Sequence, residues 1–291
     1  MQQPRKGFWY SALRIDRRYI FMLVFVSLTV PFLFPGMRVP VEVQNPARQV
    51  YDFVDGLNEG DGVLVAFEYS PSTAPELTPM ATCVARQCLK KGVRVYALSS
   101  APEGPPIAAE VFRRVAGDYG RTEGEDYVNL GYKPGGVQAI VLGLAQNVSS
   151  VFPTDYVGRA VADIPAMRHF KKLSDLKLCV ALSASTVAET WMGLASARFG
   201  VPVATGVTGV MVANFYAYLD TGQLVGLLGG MKGAAEYERL IAENVDPERG
   251  YWFATRGMAS QSASHVLIVL FVLFGNLAMI MSGRGQRRRR R

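Results

Sequence analysis

Hydrophobic residues fall along this chain in blocks. Unbroken apolar runs of strand length recur at Gly62–Ser70, Val93–Ser100, Asp126–Tyr132, Leu176–Ser183 and Val201–Thr208. Between them stand longer stretches with apolar residues at helical spacing: Ala74–Lys91, Pro105–Tyr119, Val137–Val148 and Val187–Phe199. Gly92 and Gly120 supply stop signals after the first two. A strand apolar on both sides must be covered on both sides. The alternation therefore predicts a mostly parallel sheet with helices on each face. A further short helix is expected over Pro46–Leu57.

Two more apolar runs lie near the chain ends, Tyr19–Phe34 and Val266–Met281, and neither contains a charge. Sixteen residues each is marginal, since a bilayer core of ~30 Å needs ~20 helical residues. Neutral neighbours such as Pro35, Gly36, Met37, Ala263, Ser264 and Ser282 make up the length. A cleaved secretory signal competes for the first run. It has the basic flank, but Met37-Arg38-Val39-Pro40 offers no small-x-small cleavage site. The expected organisation is a basic tail (1–18), a transmembrane helix (19–37), a stalk with a short helix (38–60) and an α/β domain (61–262). A second transmembrane helix (263–283) and a polyarginine tail (284–291) complete it.

Charge sets the orientation. Arg5, Lys6, Arg14, Arg17 and Arg18 precede the first run, and Arg284 and Arg287 through Arg291 follow the second. Both ends therefore read as cytoplasmic and the domain as extracytoplasmic. The chain has 31 basic and 24 acidic residues, net +7, but the two tails hold eleven of the basic residues and one acid. Residues 19–283 keep 20 basic and 23 acidic side chains, so the domain has no basic excess for a nucleic-acid face. Anionic lipid is the nearer partner for the tails, at ~1 kcal/mol per basic residue.

Known chemical motifs are few. Cys83, Cys88 and Cys179 make no disulfide framework and read as small buried apolar residues. One disulfide to Cys179 is the alternative. His169 and His265 stand in no metal-ligand spacing. A phosphate-loop ending, the dinucleotide glycine pattern and a nucleophile elbow are all missing. No catalytic residue, metal or cofactor is assigned.

Three strand-to-helix turns carry what signal there is. Ser70-Pro-Ser-Thr-Ala-Pro-Glu76 and Ser183-Ala-Ser-Thr-Val-Ala-Glu189 share the pattern S-x-S-T-x-x-E. One reading is a pair of capping boxes, with Thr73 or Thr186 at the N-cap and Glu reaching back. The other notes that both turns follow strands, where open α/β sheets bind ligands, with hydroxyls beside free amides. The third turn, Asn129 to Gly136, combines glycines with Lys133. Ser70, Thr73, Asn129, Lys133, Gly135, Ser183 and Thr186 form the expected ligand-binding set. Separately, Gly222, Gly226 and Gly230 are four apart. On a helix they make a small-residue strip for a subunit contact, with close packing inside the domain or a loop as the alternative. Asn276 places one amide among apolar residues of the second run, an expected oligomer contact.

Four stretches resemble a prokaryotic family of membrane-anchored α/β proteins. They are SPSTAPELTPM (70–80), EDYVNLGYKPGG (125–136), TGQLVGLLGGMKGAAEYE (221–238) and SHVLIVLFVLFGN (264–276). The resemblance implies the architecture and no activity. The resulting expectation is a Rossmann-like α/β domain flanked by two transmembrane helices. Its first functional reading is an oligomerising or partner-binding component of a membrane complex. The alternative is a tethered ligand-binding or hydrolytic domain that uses the strand carboxyl-end loops.

Overall fold

The computed structural model describes residues 15–34, 40–248 and 253–288. They form two units, the α/β body Pro40–Thr255 and a helical unit drawn from both chain ends.

The body holds a six-stranded, all-parallel sheet in the order β3-β2-β1-β4-β5-β6. The strands are β1 Gly62–Glu68, β2 Arg94–Ser99, β3 Tyr127–Tyr132, β4 Leu178–Ser183, β5 Val203–Val207 and β6 Gly226–Gly229. Their order is that of a doubly wound, Rossmann-like fold. Chain order reverses between β1 and β4. The helices, numbered along the whole chain after α1 in the helical unit, are α2 Asn45–Asp55, α3 Ala74–Lys91, α4 Gly104–Tyr119, α5 Gly136–Leu144, α6 Val148–Val151, α7 Val187–Trp191, α8 Val212–Asp220 and α9 Gly230–Asn244.

Burial explains the strands. All seven positions of β1 are buried, as both-face coverage requires. Leu64, Ala66, Tyr96, Leu98, Cys179 and Ala181 share one core with Ile140, Trp191 and Phe215 of α5, α7 and α8. The opposite face packs under α3, α4 and α9. Gly92 ends α3 in the left-handed region (φ 77°), and its N–H donates to the Cys88 and Leu89 carbonyls. The three cysteines are buried and unbridged, so the disulfide alternative does not arise.

The short helix expected over Pro46–Leu57 is α2, and its Ala47, Val50, Tyr51 and Val54 are buried against β6 and α9. Two expectations need correction. The helix expected over Val187–Phe199 leaves α geometry at Met192 for a π turn, Met192–Ser196. The glycine strip is not a helical strip. Gly222 lies in a turn (φ 73°), Gly226 opens β6 and Gly230 begins α9 in the left-handed region (φ 58°). A Cβ on Gly226 would stand 2.5 Å from Val50 Cγ2 and 2.7 Å from the Val50 backbone nitrogen. One on Gly230 would stand 2.9 Å from Gly209 Cα. These glycines let α2 and the β5–α8 turn sit directly against the sheet edge.

The helical unit comprises α1 Arg17–Leu33 and most of α10 Phe253–Arg288. Among the described residues one helix, Phe253–Met281, is long and apolar enough to cross a membrane. The expected first span is not met by its helix alone: seventeen residues rise about 25 Å, short of ~30 Å. Pro35, Gly36 and Met37, which were to lengthen it, lie outside the described residues. The two helices touch: Ser27 Oγ is 3.1 Å from Ser264 Oγ, and Ser260 Oγ donates to the Leu28 carbonyl at 2.9 Å. As one contact position advances the other retreats, so the pair is antiparallel. Phe21, Phe25 and Leu33 of α1 and Val266, Leu273 and Met279 of α10 are exposed.

Gly226→Leu is expected to destabilise the body by at least ~2–3 kcal/mol, because its clash includes backbone. Gly117→Ala in α4 meets no atom within 4 Å and is expected to add ~0.5–1 kcal/mol. Thermal unfolding of the two full-length variants in detergent checks both. A Gly226→Leu protein that melts like the wild type, yet assembles differently, would restore the subunit-contact reading.

Candidate functional site at the carboxyl edge of the sheet

All six strands are parallel, so every strand-to-helix turn emerges at one edge. The two S-x-S-T-x-x-E turns follow β1 and β4, which are neighbours in register, with Glu68 opposite Ser183. They therefore flank the point where strand order reverses, the position at which open α/β sheets take ligands.

Neither turn forms the expected capping box. Thr73 (ψ −1°) and Thr186 (ψ −2°) have helical backbone angles and no side-chain cap bond. A capping side chain needs an extended N-cap residue to reach the N3 amide. Thr73 Oγ1 instead donates to the Ser70 carbonyl at 3.3 Å, and Ser70 Oγ lies 2.8 Å from Ser72 Oγ. Ser183 Oγ accepts from the Ser185 N–H at 3.1 Å, and Ser185 Oγ accepts from the Val187 N–H at 3.4 Å. The glutamate expected to close the first box reaches across the edge. Glu76 Oε2 accepts from the Gly209 N–H at 2.8 Å and so ties the β1 turn to the β5 turn. Thr208, beside that tie, has a buried hydroxyl with no partner among the described residues. A buried polar atom of this kind calls for a water or a polar ligand atom.

Sequence reasoning missed Glu68. Side chains alternate along a strand, so Glu68 follows Leu64 and Ala66 onto the core face, and Ser183 follows Cys179 and Ala181 onto the same face. Glu68 is 7% exposed. Its carboxylate accepts from the Ser100 N–H at 3.0 and 3.1 Å, from Ser100 Oγ at 2.6 Å and from Trp191 Nε1 at 3.4 Å. It thus joins the end of β2 to α7. Burial pushes its pKa up, opposed by the bonds from Ser100 and Trp191. The signal was available: Glu68 is the one charge in the run Val63–Tyr69. A lone charge inside an otherwise buried strand marks a satisfied or a working carboxyl.

The third turn stands apart. β2 lies between β3 and β1, which puts β3 about 10 Å from β1 across the sheet. Asn129, expected in the turn, lies buried within β3. Its amide donates to the Pro105 carbonyl at 2.9 Å, and its side-chain oxygen accepts from the Gly131 N–H at 3.1 Å. Gly135 is the left-handed N-cap (φ 111°) of α5. Lys133 lines a separate cavity of about 250 Å³ against residues 151–156. The expected single site is thus two places on one edge: Ser70, Thr73, Ser183 and Thr186 at the strand-order reversal, and Lys133 at the β3 margin.

Comparison with protein families, characterised proteins and solved structures finds no match to this chain.

The Glu68 carboxyl predicts a pH signature. Its folded pKa is raised above the ordinary value of 4.5, so the folded state holds the proton more tightly than the unfolded chain. The stability it contributes is complete below that ordinary value and is lost as pH rises through the folded pKa. Glu68→Gln keeps the size and one acceptor oxygen and does not titrate. The melting temperature of Glu68→Gln minus that of the wild type should increase from about pH 4 to about pH 7. A flat or falling difference contradicts a buried, desolvated Glu68.

Proposed function

We propose that this chain is a membrane-anchored α/β protein whose body binds a small polar ligand between the β1 and β4 turns. The observation that carries this reading is the convergence of the two S-x-S-T-x-x-E turns on adjacent strands at the reversal of strand order. The hydroxyls of Thr73 and Thr186 form no helix cap. Glu68 and the unpartnered Thr208 hydroxyl stand on the neighbouring strand ends. The chemistry supported is binding of a neutral or singly charged group through hydroxyls and helix-start amides. Glu76 and Glu189 at the same helix starts oppose a highly charged phosphate.

The anchor is proposed as two-pass. The antiparallel α1–α10 pair supports it, with serine bonds at its contact and apolar side chains outward. The basic tails favour cytoplasmic ends and an extracytoplasmic body. A reporter fused after Arg291 should then report the cytoplasm, and one inserted between Pro102 and Glu103 the opposite compartment. The same compartment for both would overturn the topology.

A second reading, assembly within a membrane complex, is favoured by Asn276. Its side chain is exposed on α10 among exposed Val272, Leu273 and Met279. An amide in hydrocarbon gains by pairing with another chain.

The ligand reading is tested by thermal shift of the detergent-solubilised protein. The panel consists of nucleosides, monosaccharides, amino acids and monocarboxylates. Stabilisation by one of these should disappear in Ser70→Ala/Thr186→Ala, which alters two turn hydroxyls and no buried apolar contact. Stabilisation undiminished in that variant would remove the ligand from this site.

A further inference from the structure

The cavity beside β3 carries a separate assignment. Its walls are the end of β3 and its turn (Leu130 to Lys133) and the segment Val151–Tyr156. That second wall is held in place. The Tyr156 N–H donates to the Asn129 carbonyl at 2.8 Å, which lays the segment alongside the edge strand. Asp155 is buried and accepts from the Val157 N–H at 3.1 Å, the Arg159 N–H at 2.8 Å and Arg159 Nε at 2.7 Å. Arg159 also reaches Glu123 at 3.0 Å. The one acid of the cavity wall is therefore neutralised by its own arginine.

Lys133 differs. It lines the cavity half-buried, and no carboxylate lies within 4.0 Å of it among the described residues. Its backbone N–H donates to the Ser99 carbonyl at 3.1 Å, which fixes its place at the sheet edge. Tyr132 and Tyr156 flank it, 43% and 46% exposed despite their size. The cavity thus brings the uncompensated Lys133 together with Tyr132 and Tyr156 around a mostly polar space of about 250 Å³. A volume of that order takes a single ring-sized molecule. The cation selects an acid, and the polar lining selects hydroxyls.

We propose that this cavity binds an acidic monosaccharide, with its carboxylate or phosphate on Lys133 and its hydroxyls toward the polar lining. The site is distinct from the β1–β4 turns and stands whether or not they bind a ligand. The acid can be a uronate or a sugar phosphate, and the two are separated by experiment. Full-length protein in detergent is titrated calorimetrically with glucuronate, glucose 6-phosphate, glucose and acetate. One or both acidic sugars should bind saturably, with glucose and acetate roughly tenfold or more weaker, since the site needs both the charge and the hydroxyls. Stronger binding of glucuronate or of the phosphate identifies which acid group is taken. Lys133→Met should weaken binding by roughly tenfold or more, and Lys133→Arg should restore most of it. Ser70→Ala/Thr186→Ala should leave it unchanged. Saturable binding of neither acidic sugar overturns the proposal. So does acetate binding as well as glucuronate, or undiminished binding by Lys133→Met.

Discussion

β1 lies in the middle of the sheet, buried at every position, and pairs on one side with β2 and on the other with β4. The meeting of the two S-x-S-T-x-x-E turns depends on that second pairing. Because β4 aligns with β1 in parallel, Glu68 comes opposite Ser183, and two turns more than a hundred residues apart in sequence emerge side by side. The pairing is held by burial on both faces, with Trp191 and the α5 side chains on one and α3 and α4 on the other. A one-residue slip would exchange the faces and carry Glu68 into the packing beneath α3 and α4, where neither Ser100 nor Trp191 waits.

The carboxyl edge is knitted by polar contacts that ignore chain order. Glu68 links β2 to α7 through Ser100 and Trp191. Glu76 links the β1 turn to the β5 turn. Gly230 lets the β5 turn lie flat against the start of α9. Farther along the chain, Glu238 accepts from the Ala254 and Thr255 N–H groups and from Thr255 Oγ1, at 2.8 to 2.9 Å. It caps the first turn of α10 from another helix. Burial raises the pKa of Glu68 and of Glu238 alike. Both carboxyls act as joints: each is costly to bury and is satisfied by amides that would otherwise be orphaned.

Strand and helix types were legible because they follow from local patterns. The apolar runs of β1 and β4, the glycine stop at Gly92 and the amphipathic stretch Ala74–Lys91 each predict their element from a few neighbouring residues. β6 escaped because Gly226–Gly229 is four residues long and half glycine, which reads as a loop or a small-residue strip. The capping boxes failed because S-x-S-T-x-x-E specifies side-chain types and not the ψ of the threonine. That angle is set by how each turn leaves its strand.

By itself the sequence determined that the body is a covered parallel α/β unit, that apolar helical runs stand near both ends, and that the basic excess belongs to the tails. These are consequences of periodicity and composition, which act over one turn or one strand. Only the tertiary structure decided which turns are neighbours, that Lys133 lines a cavity apart from Ser70 and Ser183, and that the glycines near residue 226 serve packing within the body. Strand order and register come from non-local pairing, where each strand chooses among several apolar partners of nearly equal affinity. No short stretch of residues encodes that choice, and the position of every candidate site residue depends on it.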